Sequence, residues 1–197
     1  MPSPISRPEH LSIHVYGHES SEPESVAEAL GAHFSQTLHT DSDLAIFVID
    51  PNTGVDAETI SKWSALDDFQ TPRLVVVTHL QNQEADFDDG VALANRLFDS
   101  MLTPFLVLHD EDGLPVALIS LENMTITDYS TNPPTLRASE EEHQTLVQEF
   151  RDEYLSVMEV MNDGAFAAGL LFPAIPIWLE RGIGVDIVNN YIEQIKK

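Results

Sequence analysis

Apolar residues along this chain gather into short runs, separated by amphipathic stretches of helical period. Residues 11–16 read as a strand. From residue 24 to about 34 apolar positions recur at Val26, Ala29, Leu30 and Phe34, the spacing of one helix face. Leu44–Ile49 is a continuous apolar run closed by Asp50, Pro51 and Asn52, which predicts a strand covered on both faces. A helix over residues 57–68 places Ile60, Trp63, Ala65 and Leu66 inward. A second buried strand follows over residues 73–78, then a helix over about 87–100 that buries Val91, Leu93, Ala94, Leu97 and Phe98. This alternation predicts a mostly parallel sheet with helices on both faces.

The pattern then changes. Residues 105–109 and 116–120 flank Asp110, Glu111, Asp112 and Gly113, whose Asp-Gly pair is a hairpin turn signal, and residues 124–129 extend the pair to three strands. Residues 103–138 are therefore read as an antiparallel insert, ending in a linker over 130–138 that carries Pro133 and Pro134. A long helix follows, with Ser139 as N-cap and Glu142 as its capping-box partner. Its buried stripe is read as Leu146, Val147, Phe150, Tyr154, Leu155, Met158 and Met161. A strand over 170–178 and a helix over 185–195 close the pattern. Residues 1–197 are read as one α/β domain, a length that buries one substantial core.

Charge changes the range of partners. With 33 acidic against 9 basic side chains the formal charge is −24, so nucleic acid and anionic membrane are poor direct partners: there is little cation to release counterions from a polyanion. The chain has no cysteine, which removes disulfides, thiolate metal sites and a cysteine nucleophile. The N-terminal residues 1–10 carry no long apolar stretch, and no window approaches the roughly 20 apolar residues of a membrane span. A cytoplasmic location is expected.

Gly17-His-Glu-Ser-Ser-Glu-Pro-Glu-Ser-Val-Ala-Glu-Ala-Leu30 stands between the first strand and the first helix, where a phosphate-binding loop belongs. Without a gap it resembles the G-H-V-D-H-G-K-T-T-L-T-E-A-L pattern of translational GTPases of the elongation factor G type. Gly17, His18, Ser25, Glu28, Ala29 and Leu30 fit, while Glu22, Pro23 and Glu24 replace the second glycine, the lysine and the magnesium-binding hydroxyl. Residues 43–55 resemble the D-A-A-V-V-V-x-D-A-x-x-G-V strand and loop of that family. Residues 73–81 resemble R-I-x-F-V-N-K-M-D, with Thr78, His79 and Gln81 where the base-reading Asn, Lys and Asp would be. The Ser-Ala base loop falls near Trp178 and Leu179. The resemblance implies a P-loop GTPase-like three-layer domain with the antiparallel hairpin insert inside it. Only residues 32–42 stand where the family has its switch regions, two strands and D-x-x-G, so the switch-region strands are expected to be lacking and one sheet edge to be open.

The replaced residues oppose the chemistry. Glu22 brings a β-carbon and a negative charge where the loop must approach phosphate, Pro23 removes the lysine and an amide, and Glu24 removes the hydroxyl ligand. A carboxylate beside a phosphate costs on the order of 1 to 4 kcal/mol, and a lost charge-assisted hydrogen bond about 1.5 to 3 kcal/mol. The sum exceeds about 5 kcal/mol, more than three decades in affinity. Gln81 takes the guanine hydrogens only weakly, and Trp178 fills the space of a base.

Other constellations carry less. His10, His14 and His18 recur every fourth residue but lie on or beside a strand, so a metal site is not expected. Asp110 to Gly113 matches D-x-x-G as a string yet sits on the hairpin turn. Glu84, Asp86, Asp88 and Asp89 read as a solvated helix start favoured by the helix dipole. The expectation is a pseudo-GTPase module with GTP binding and catalysis lost, no cofactor, and a protein partner or a homodimer as its target. The alternative is a small-ligand-binding or residual GTP-binding protein related to translation.

Overall fold

A computed structural model describes residues 10–196. Met1 to Glu9 and Lys197 lie outside the described residues, and with them most of the N-terminal stretch read above as lacking an apolar run. In chain order come β1 (Ile13–Tyr16), α1 (Pro23–Leu30), β2 (His33–Phe34), β3 (Leu44–Ile49), α2 (Ala57–Ala65), β4 (Arg73–Val77), α3 (Phe87–Leu97) and β5 (Met101–Leu102). Then follow β6 (Phe105–His109), β7 (Pro115–Ser120), β8 (Thr125–Asp128), β9 (Thr135–Ala138), α4 (Glu141–Val160), β10 (Phe172–Pro176) and α5 (Val185–Ile195).

The first sheet runs β2-β1-β3-β4-β10-β5 and its pairings are parallel. β3 and β4 are buried along their whole length, as continuous apolar runs require. α1 lies beside α5. Trp63 of α2 stacks on Phe98 at 4.6 Å and meets Phe47 and Phe172 edge-on. Arg73 enters this aromatic layer from β4. Its guanidinium lies 4.7 Å from the Trp63 ring centre and 4.6 Å from that of Phe172, while Nη1 donates to Trp63 O (2.7 Å) and Nη2 pairs with Asp67 (2.8 Å). Gly90 is the close-approach point of α3, since a Cβ there would stand 2.6 Å from Val77 Cγ1.

The second sheet is antiparallel, ordered β6-β7-β8-β9, and covers a smaller core with α4 through Leu106, Ile119, Ile126, Val147 and Tyr154.

Several expectations are corrected. Gly31, left-handed at φ 63°, ends α1 by returning its N–H to Ala27 and Glu28, so Phe34 falls in β2 instead of on the helix. The interval 32–42 thus holds a two-residue strand pairing His14 with His33 and Val15 with Phe34, and the edge of β1 is partly covered. The linker over 130–138 contains β9, which continues the antiparallel ladder. Ser139 is not the cap of α4. Its N–H extends that ladder to Met124 O, and Glu140 is the N-cap, without a side-chain bond. On α4 Val147 and Tyr154 are buried, but Leu146 is 71% exposed, Phe150 47% and Leu155 39%. Among the described residues no helix is long and apolar enough to cross a membrane.

Candidate functional site

β1, β3, β4 and β10 all end on one side of the parallel sheet, and the residues singled out in the sequence gather there. Chain leaving β1 passes Gly17, where a Cβ would stand 2.6 Å from Val48 O, so only glycine fits this approach to β3. Glu19–Ser21 then forms one turn of 3-10 helix, capped by His18, whose Nδ1 accepts from Ser20 N at 3.2 Å. Ser21 N donates to His18 O and Glu22 N to Glu19 O, so amides in this loop serve its own carbonyls. The buried Ser21 hydroxyl lies 2.8 Å from His18 O and 3.0 Å from Val48 O, locking the turn against β3.

Glu22 has φ 58° and ψ 47°. That is the left-handed conformation in which glycine is comfortable, held here by a residue with a β-carbon. Pro23 follows as the first residue of α1, a position where the missing N–H costs no helical bond. Glu24 and Ser25 are exposed on the first turn.

The segment after β4 closes the other wall. The buried Thr78 hydroxyl donates to Ser21 O (3.0 Å) and lies 3.0 Å from His79 Nδ1. His79 also has a left-handed backbone, φ 59°. Its ring stands between two carboxylates, with Nε2 3.7 Å from Glu22 Oε2 and Nδ1 3.5 Å from Asp50 Oδ2. Asp50 is buried and its Oδ1 accepts from Asn52 N (2.9 Å) and Nδ2 (2.7 Å). Between these walls and the end of β10 is a cavity of about 360 Å³. Glu22, His79, Gln81, Trp178 and Glu180 line it, and among the described residues neither lysine nor arginine does. Arg181 stacks on Trp178, 4.6 Å from its ring centre.

The structure thus brings Glu22, Ser25, Thr78, His79, Gln81 and Trp178 to one cavity, with Gly17, His18 and Pro23 shaping the adjoining turn. Sequence reasoning missed Ser21, which fills and locks the turn, and Asp50, whose carboxylate faces His79. Asp50 falls on the second Asp of the D-A-A-V-V-V-x-D pattern, but nothing in the sequence marks its pairing with His79 or that of Ser21 with Val48, partners 29 and 27 residues away. His14 belongs elsewhere, stacked on His39 at 4.0 Å and facing His33, while His18 bonds Ser20. Among the described residues no three metal-ligating side chains are grouped to hold an ion.

No protein-family model matches the chain. The protein of Mycobacterium tuberculosis (strain CDC 1551 / Oshkosh) named "Elongation factor G-like protein" is 29% identical over 167 residues, covering 73% of this chain and 23% of that protein. The chain resembles elongation factor G-like proteins. A second elongation factor G-like relative, from strain ATCC 25618 / H37Rv, matches over the same length and identity. "Ribosome-releasing factor 2, mitochondrial" of Drosophila yakuba is 26% identical over 141 residues, 66% of this chain and 20% of that protein. The chain spans about a fifth to a quarter of the length of these curated relatives. A crystal structure of a protein from Thermus thermophilus superposes with a TM-score of 0.65 at 23% identity, covering 79% of this chain and 27% of that one, which places the mixed α/β fold among known structures.

Proposed function

We propose that this chain is a non-catalytic module of translational-factor type that has lost GTP binding and acts by engaging a protein partner. The observation that carries the reading is the loop between β1 and α1. The amides of Ser21 and Glu22 there are bonded to the loop's own carbonyls, Pro23 offers none, and among the described residues the cavity beside it is lined by carboxylates and by no lysine or arginine. A triphosphate entering would meet Glu22 and Glu180 with no lysine or arginine in the lining, Arg181 being stacked on Trp178, and would have to displace the Ser21 and Thr78 bonds.

Two relatives' names, elongation factor G-like protein and ribosome-releasing factor 2, support a setting in translation. At −24 the chain favours docking through protein over ribosomal RNA, and it repels a second copy of itself at low salt. The short β2 on the edge of β1 also weakens pairing through an open edge as a route to a homodimer.

Titration calorimetry with GTP and with GDP, each with magnesium, tests the nucleotide claim. The expected outcome is no saturable heat up to about 1 mM ligand, in keeping with a penalty of more than three decades. Saturation at micromolar concentration or below overturns the proposal and restores the residual GTP-binding alternative.

A further inference from the structure

α4 carries more apolar surface than the fold covers. Phe150 is 47% exposed where the stripe along the helix calls for burial. Beneath it, α3, β5, β6 and α4 enclose a cavity of about 310 Å³. Its floor is Leu102, Leu106 and Leu121, all at most 8% exposed, and Val91, Phe150 and Val157 form its walls. A recess of about 120 Å³ adjoins it, with Asp88, Leu106 and Phe150 common to both. The larger space alone matches the lower end of small-molecule sites, about 300 to 1,000 Å³.

The larger space carries the neutral polar residues Asn95, Thr103 and Tyr154 beside its carboxylates, and the recess adds Asp86 and His109. Asp88 and Glu153, both exposed residues, line the larger space, and among the described residues no lysine or arginine lines either part and neither carboxylate has an ion-pair partner. Partial desolvation first, then Asp86 and Asp89, push the Asp88 carboxyl above its ordinary range, with His109 opposing. An anionic ligand is repelled here, and a neutral apolar one leaves both carboxylates unpaired. A cation with an apolar tail does neither.

We propose that this cavity binds a small amphiphilic cation, its apolar body on Leu106 and Leu121 and a single ammonium or guanidinium at Asp88 and Glu153. The site shares no residue with the cavity at the ends of β4 and β10, so it stands whether or not the nucleotide reading holds.

Three probes of equal tail length and different head charge test it: n-octylamine, n-octanol and n-octanoate, titrated calorimetrically at neutral pH. Octylamine is expected to bind saturably and at least about tenfold more tightly than octanoate, the scale of one compensated carboxylate. Asp88→Asn should weaken octylamine at least about fivefold and leave octanol unchanged. Asp112→Asn, on the exposed hairpin turn, should change neither. The proposal is overturned by equal binding of amine and acid, by an unaltered amine affinity in Asp88→Asn, or by absence of saturable amine binding. It is equally overturned if Asp112→Asn weakens the amine as much as Asp88→Asn, because the attraction is then a property of the acidic surface as a whole.

Discussion

Glu22 holds a backbone conformation that suits a different residue. With φ at 58° its Cβ crowds the following carbonyl, at a cost of roughly 1 to 2 kcal/mol that glycine does not incur. The side chain returns little, since its carboxylate reaches His79 only at 3.7 Å and is 61% exposed. Glu22→Gly is therefore expected to stabilise the fold by about 1 kcal/mol, after the larger chain entropy of unfolded glycine is set against the relief of strain. Thermal denaturation would register this as a rise of about 2 to 4 °C for a chain of this size. A fall in melting temperature would show that the carboxylate, and not the backbone, is what the position needs. The motif resemblance placed this residue at the right turn. It could not reveal that a glutamate holds a left-handed backbone there.

At the scale of elements, the segment after β2 is tied to β1 by histidines. His14 stacks on His39 with ring planes 4° apart and faces His33 on the paired strand. Ser42 bridges His14 Nδ1 and His39 O, and Tyr16 OH accepts from His39 N. Burial, then His39 and His33, hold the His14 pKa below its ordinary 6.5, with Asp41 opposing. The folded chain therefore binds fewer protons here than the unfolded one. This contribution to stability is complete above pH 6.5 and declines as pH falls below it. Denaturant unfolding between pH 7.5 and 5 should show stability declining with acidity, and His14→Gln should flatten that slope. An identical slope in the variant would remove His14 from the account.

Elements differ in how plainly the chain announces them. β3 and β4 were legible because each is an unbroken apolar run buried on both faces. β2, β5 and β9 were not, being two to four residues long and lying at sheet edges, with all four residues of β9 exposed. On α4 the period correctly aligned Val147 and Tyr154, but periodicity does not say how wide a stripe the neighbouring sheet covers. For the site, the residues after β1 and after β4 that the sequence singled out meet at one cavity, whereas the contacts of Asp50 with His79 and of Ser21 with Val48 join segments distant in sequence.

For the whole molecule the dominant quantity is the net charge of −24, which sets acidic groups against one another over the entire surface. Salt shortens the range of that repulsion from about 10 Å at 0.1 M to a few Å near 1 M. Calorimetric scans from about 0.05 to about 0.5 M sodium chloride should accordingly show the melting temperature rising with salt. A flat or falling trend would mean that local pairing already neutralises the field.

The chain contains two tryptophans, in unlike places. Trp63 is sealed in the aromatic layer, 1% exposed, with Nε1 donating to Asp99. Trp178 borders the space at the ends of β4 and β10. Their fluorescence separates accordingly: a soluble quencher reaches the second indole and spares the first. The protein carries an optical reporter at its own cleft, with an internal standard that no visitor to that cleft can touch.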